Sequence, residues 1–346
     1  MKIFVLSVLK YLGIFKISNF FFRNKLLILA YHGFELHNEC EFSYSPLFTK
    51  KKTLDRRMAY LKKHNFSVLT LDQAISLQKD GQSFPQNSIV ITIDDGWYST
   101  LAIADEIFSK YAFPYTIYVS SYYSGKEIPV LNMVLRYMLW ACKKDNIDIG
   151  LLNIPSLKGT YAFNTQADKK KMSDIVIKYF NCLHHTEQKH NFIEKVSEIF
   201  EIDYQMIKSL RFLDLLTLNE IEYLSDKGVD IQLHTHRHKM PFELIDGIEN
   251  EIKDNQNCLS PYVKNSLNHF CYPSGVYNKN CGTILRKIGI DSATTCDNGF
   301  VSARTDPYYL PRFLDGESIP QIVFEAELYG VLEIFRQIRD FFGTKR

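Results

Sequence analysis

The chain has 346 residues, 46% of them apolar and 23% charged, which is the balance of a soluble globular protein and not of a disordered tail, a collagen or a multi-span membrane protein. Lys and Arg total 41 against 39 Asp and Glu, a formal net charge of +2, far too small for a protein that holds nucleic acid by charge. Aromatic residues reach 14%, a load that suits a large core or a cleft that stacks sugar rings.

Residues 1–25 form a basic, apolar segment. Within the first 34 residues Lys2, Lys10, Lys16, Arg23 and Lys25 stand without an Asp or Glu. The longest apolar stretch, Ile3 to Leu9, ends at Lys10 and falls well short of the roughly 20 residues that cross a bilayer. No small-residue cleavage site follows it, so the expectation is an unprocessed, cytoplasmic chain. The segment either lies peripherally on the anionic inner face of the membrane or packs as a helix across the bottom of a barrel.

From residue 26 short apolar strands alternate with helical patterns. Leu26–Tyr31 reads as a strand that ends at His32-Gly33, Lys52–His64 as a helix and Ser67–Leu71 as a strand. Ser88–Ile93 is a buried strand running into Asp94-Asp95-Gly96, followed by a helix over Leu101–Tyr111 and a strand over Tyr115–Val119. The alternation then stops. Between residues 122 and 216 the spacing predicts helices, clearest at Lys169–Phe180 and Phe192–Phe200, and no buried strand.

The alternation returns with a helix over Asn219–Lys227, stopped by Gly228, and a strand over Val229–Leu233 that leads into His234. A helix over Phe242–Asn257, a strand at His269–Tyr272, a helix at Thr283–Ile288 and a strand at Ser292–Thr295 follow. Leu310–Phe313 is the last strand and Ile322–Phe342 a terminal helix. Such βα alternation predicts a parallel sheet with helices outside it. Residues 26–121 and 217–346 then form one barrel, and 122–216 is a mainly helical insertion. The seven Cys are odd in number and lack C-x-x-C spacing, which predicts buried free thiols in a reducing compartment.

Three groups of residues that carry chemistry fall at the C-terminal ends of predicted strands, the edge where parallel α/β folds collect their active sites. Asp94-Asp95-Gly96 offers two carboxylates that can take two jobs, one on a cation and one as a base, with Gly96 allowing the tight turn. His234-Thr235-His236-Arg237-His238 holds three imidazoles in five residues. The i, i+4 spacing of His234 and His238 puts both on one side of a helical turn, and two imidazoles with one carboxylate make a facial metal site with open positions. His236 is expected to point elsewhere. His32 ends the first strand on the same edge.

In this order ITIDDG, HTHRH and CYPSG resemble the polysaccharide deacetylases of the NodB-homology group, carbohydrate esterase family 4. The resemblance covers most of 26–120 and 217–313. It implies a distorted (β/α) barrel with fewer than eight regular strands, and a hydrolase that removes acetyl groups with zinc or a similar divalent ion. Carried over, it makes Asp94 the base and Asp95, His234 and His238 the metal ligands.

The third motif departs from the family pattern. Its usual Arg is Cys271 here, with Arg312 a candidate to support the base instead. Its usual Tyr is Ser274, whose backbone N–H would still serve the oxyanion, beside Tyr272 as a substrate-binding residue. No His follows His269, so the family's late catalytic acid has no counterpart there. Tyr31-His32-Gly33-Phe34 resembles a permuted branch that carries a Tyr-His motif on its first strand, and this makes His32 the acid.

The implied function is metal-dependent N-deacetylation of an acetylated amino sugar, in a cell-surface polysaccharide or its lipid-linked precursor. Two alternatives stand beside it: an amidase acting on a small non-sugar amide, which a narrow closed pocket would favour, and a non-catalytic carbohydrate-binding homologue. Exposed aromatics around the site would favour sugar.

Overall fold

The computed structural model describes residues 2–42, 47–155, 157–183, 185–244 and 246–342. Eight strands make one parallel sheet: β1 (Leu26–Tyr31), β4 (Ser67–Leu69), β5 (Ser88–Ile93), β6 (Thr116–Val119), β9 (Asp230–Leu233), β10 (His269–Cys271), β11 (Ser292–Thr294) and β12 (Phe313–Leu314). Their order is β11-β10-β9-β6-β5-β1-β12, with β4 alongside the first half of β5. Leu310 bridges to Thr294 of β11, and Phe313–Leu314 pair with Leu29 and Ala30 of β1. Residues 310–314 thus span the gap between the two ends of the sheet, as one short irregular closing segment. A small parallel pair, β2 (Gly33–Phe34) with β3 (Phe48–Thr49), sits over the C-terminal edge.

The strands are buried on both faces, which is why β1 and β5 read as unbroken apolar runs. Side chains alternate across each strand. Leu27 and Leu29 pack outward under the helices, and Leu26 and Ile28 pack inward with Val90, Tyr118, Cys271 and Leu310. The outer layer includes α3 (Lys51–Lys63), α4 (Leu71–Lys79), α5 (Asp105–Tyr111), α11 (Leu218–Asp226), α12 (Gly247–Leu259) and α13 (Cys281–Lys287). Capping boxes start α4 at Thr70 and Gln73 and α11 at Thr217 and Glu220.

Between β6 and α11 lie α6 (Ser121–Lys126), α7 (Leu131–Ala141), α8 (Gln166–Asn181), α9 (Thr186–Phe200) and α10 (Tyr204–Leu210). They enclose a second apolar core of their own, joined from the barrel by Phe42, Phe48 and Trp97. This region also contains a short antiparallel pair, β7 (Asn146–Asp148) with β8 (Thr160–Ala162), which the sequence does not announce because four of its six residues are exposed.

Two helix boundaries differ from expectation. The helix expected from Phe242 begins only at Gly247, after turns at Pro241–Leu244. The expected terminal helix is two, α14 (Gln321–Leu328) and α15 (Val331–Phe341), broken at Gly330 with φ of 73°. The N-terminal segment forms α1 (Lys2–Tyr11) and α2 (Ile14–Phe22), which pack on α14 and α15 respectively.

Candidate metal and catalytic site

Alternation along β5 turns Val90, Thr92 and then Asp94 toward the barrel axis. Arg312, on the closing segment, meets Asp94 there. Its Nη1 and Nη2 donate to Asp94 Oδ1 and Oδ2, both at 2.7 Å. The guanidinium also donates to Thr295 O (2.8 Å) and Thr92 Oγ1 (3.1 Å), and its Nη2 lies 3.1 Å from Cys271 Sγ. Both partners of this ion pair are buried. Burial alone would push the Asp94 carboxyl up, but the fixed guanidinium outweighs it and holds the carboxyl at about 2. Arg312 therefore supports Asp94 as the sequence suggested, and the small Cys271 side chain leaves room for it.

Asp95 and Gly96 turn through the left-handed region, with φ of 72° and 85°, so the Asp95 side chain leaves in a different direction from that of Asp94. Its Oδ2 accepts a hydrogen bond from Trp97 Nε1 at 2.9 Å. Its Oδ1 is buried without a hydrogen-bond partner, 3.3 Å from His234 Nε2 and 3.2 Å from His238 Nε2. His234 is fixed at its other nitrogen, since Nδ1 lies 2.8 Å from Cys271 O, a carbonyl that can only accept. In the neutral ring the Nε2 lone pair therefore faces Asp95.

One carboxylate oxygen and two imidazole nitrogens converge within 4.8 Å of one another. The orphaned oxygen between them is what a divalent cation would satisfy, and the three donors fit it. A second cluster, Asp94, His234 and Cys271, is equally compact. A cation there would sit against the Arg312 guanidinium, which already occupies both Asp94 oxygens and the thiol, so the Asp95 group is the better site.

His234 and His238 do not lie on a helical turn, as their spacing suggested. The segment after β9 is a loop in which Thr235 and His238 have φ of 61° and 54°. Thr235, a β-branched residue in a region it rarely adopts, is fully buried and accepts a hydrogen bond from Lys239 N at 3.1 Å. Asn255 holds the start of the loop, its Oδ1 accepting from His234 N at 2.9 Å. His236 does point elsewhere, to Ser121 Oγ at 2.9 Å.

His32, Asp94, Asp95, His234, His238 and Ser274 line one cavity of about 490 Å³. His32 Nε2 is 3.8 Å from Asp94 Oδ2. Ser274 has φ of 56°, and no hydrogen bond from its N–H is found among the described residues, whereas the neighbouring Gly275 N–H is spent on Tyr272 O. Tyr272 is a correction. Its alternate position from Cys271 turns it outward into the helix-covered core, and its hydroxyl donates to Tyr308 O at 3.1 Å, so its side chain does not reach the cavity.

Several neighbours escaped the sequence reading. Trp97 orients Asp95, and its place two residues after the carboxylate was a usable sign. Asp315 lines the cavity and is held from behind by Arg57 Nε and by the Tyr31 hydroxyl, both at 2.9 Å. A second cavity of about 630 Å³ shares Leu47, Asp95 and His238 with the first. Its far wall comes from the insertion, through Tyr122, Tyr123, Met133, Phe180 and Lys189.

Fold and site together define a distorted (β/α) barrel of the deacetylase type. Residues 185–293 match the family model described as Polysaccharide deacetylase, a span that carries His234, His238 and Ser274 but not Asp94, Asp95, His32 or Arg312. The fold is similar to that of Streptococcus pyogenes deacetylase PplD, described in complex with acetate, at a TM-score of 0.56 and 16% identity, covering 88% of this chain and 99% of that one. It is also similar to IcaB from Ammonifex degensii, at 0.53 and 14%, covering 88% and 97%. A de-N-acetylase from Aggregatibacter actinomycetemcomitans gives 0.53 and 13%, covering 88% and 99%. No curated protein matches the chain by sequence. The family match thus falls on residues 185–293, and the chain as a whole shares the fold of these deacetylase structures.

Proposed function

We propose that the protein is a metal-dependent N-deacetylase acting on an acetylated amino sugar of a polysaccharide or its lipid-linked precursor. The observation that carries this reading is the buried, unpartnered Asp95 Oδ1 facing two imidazole nitrogens, in one cavity with Asp94 and His32. Asp95, His234 and His238 would hold the ion, and two nitrogens with one oxygen suit zinc. A bound divalent ion supplies Lewis acidity toward a carbonyl and lowers the pKa of water.

The chain's own residues supply the rest. Arg312 keeps Asp94 ionised and fixes both its oxygens, so Asp94 is oriented to take the proton of a water that attacks the acetamide carbonyl. The Ser274 N–H donates to the oxygen that gains charge, a contribution of about 3–4 kcal/mol for such a donor. His32, facing Asp94 across the cavity, gives a proton to the departing amine. Acetate and a free amino sugar are the products. His32 at the end of β1, with Arg312 replacing the motif arginine, also supports membership of the branch with an N-terminal Tyr-His motif.

The adjoining cavity favours carbohydrate over a small amide. It is open, aromatic-walled through Tyr122 and Tyr123, and large enough for a sugar beside the one whose acetyl group is cut. The test measures metal content and acetate release together. Asp94→Asn and His32→Ala should keep bound metal and lose about 10²–10⁴-fold in rate on N-acetylhexosamine oligomers. Full activity in either variant would remove that residue from its role.

A further inference from the structure

Of the 20 large apolar side chains exposed among the described residues, 13 belong to α1, α2, α15 or the residues flanking them. α2 turns Phe15, Ser18 and Phe22 inward and leaves Ile17, Phe20 and Phe21 in solvent. α1 buries Leu6 while Phe4 and the following Tyr11 and Leu12 stand out. α15 is strongly amphipathic, yet only Val331 and Leu332 at its start are buried. Beyond them Phe335, Ile338, Phe341 and Phe342 form a stripe that faces outward, while Arg336 is held to Glu327 and Glu333. Surface helices normally turn such a stripe toward the core.

These segments meet at one end of the barrel. Arg23 O accepts from Asn87 N, one residue before β5 begins, and Tyr329 packs on Phe66, one residue before β4. That end holds the strand N-termini, opposite the edge that carries the site. The charge of α1, α2 and the residues after them is one-sided, because the first carboxylate of the chain is Glu35, whereas α15 carries both signs. Lys10 pairs with Glu325, but Lys16, Arg23 and Lys25 have no carboxylate partner among the described residues. Arg23 and Lys25 instead lie over the rings of Phe20 and Phe22, at 4.7 and 4.6 Å.

We propose that this end of the molecule docks peripherally on an anionic lipid surface, with α2 and the outer stripe of α15 acting together. Cations beside projecting aromatics match a charged headgroup layer over an acyl phase. A second copy would set the cations of α1 and α2 against each other, and the side chains there project far into solvent (Tyr11 is 91% and Phe341 83% exposed). Neither N-terminal helix can span a bilayer, since each covers about 15 Å of the roughly 30 Å needed and the pair bends by 86°. The inference does not rest on the reaction proposed above.

The test is flotation of the full chain with vesicles of phosphatidylcholine, with and without phosphatidylglycerol. The protein should float with the anionic vesicles only, and less so at high salt. Each of Lys16→Ser and Arg23→Ser should weaken binding about fivefold. Phe20→Ser/Phe21→Ser and, separately, Phe341→Ser/Phe342→Ser should abolish flotation while metal content and the unfolding transition stay unchanged. No flotation with either vesicle, flotation indifferent to both double variants, or a dimer in light scattering that Phe20→Ser/Phe21→Ser dissolves would each overturn the proposal.

Discussion

Arg312→Met removes the guanidinium but keeps much of the apolar volume of the side chain. Asp94 then loses two hydrogen bonds of 2.7 Å, one on each carboxylate oxygen, at a place closed to solvent. Stripping one partner from a buried ion pair costs about 3–5 kcal/mol. The titration gives a similar scale. A carboxyl held at about 2 in the native state, against about 3.9 when unfolded, contributes roughly 2.6 kcal/mol.

The sign follows from the depressed native value. The contribution is complete above about pH 3.9 and is lost as pH falls from there toward 2. The variant should therefore be less stable than the parent by about 3 kcal/mol at neutral pH, with a smaller deficit near pH 3. Urea unfolding at the two pH values, followed by tryptophan fluorescence, measures this. Adding Asp94→Asn should recover part of the loss, because the stranded charge is gone, without restoring acetate release. Cys271→Arg in the Arg312→Met background should restore some of both, since Cys271 Sγ lies 3.5 Å from Asp94 Oδ2. A variant within about 0.5 kcal/mol of the parent, or strict additivity of the Asp94 and Arg312 changes, would refute the coupling.

Trp97→Phe keeps the packing but removes the hydrogen bond to Asp95 Oδ2, and should weaken metal binding about 10–100-fold in competition with a chelator. Asp214 lies outside the site, with Oδ1 buried and unpartnered; burial pushes its carboxyl up to about 6 despite Arg211. Since the native value is raised, stability is lost as pH rises from about 3.9 through about 6, so Asp214→Asn should raise Tm at pH 8 and have less effect near pH 4.5. Gly330→Ala places a Cβ at φ of 73° and 2.4 Å from the Phe22 ring, so calorimetry should show a loss of at least about 1 kcal/mol.

Much of this could be read from the residues alone. β1 and β5 announce themselves because strands buried on both faces need unbroken apolar runs, and Asp94-Asp95-Gly96 gains meaning from following one of them. The pairing of His234 with His238 was legible, but its cause was not. A threonine in the left-handed region is too rare to infer, and here Asn255, 21 residues after His234, holds the loop that needs it. The break at Gly330 was hidden because apolar periodicity runs through it, and only the Phe22 ring beneath shows why no side chain fits. Tyr272 was misplaced because a motif names neighbours without saying which face of the strand each takes. Arg57 and Asp315, 258 residues apart, left no local trace of their pairing.

The counter-ion of Asp94 arrives late. Asp94 and its arginine are 218 residues apart, and the arginine lies on the segment that closes the sheet between β11 and β1. A growing chain synthesised as far as β11 would already contain Asp95, His234 and His238, yet Asp94 would lack the guanidinium that fixes both its oxygens. Closing the barrel and fixing the Asp94 carboxylate are therefore one event. On the function proposed above, a half-made chain would lack an oriented Asp94 until the last strand docks.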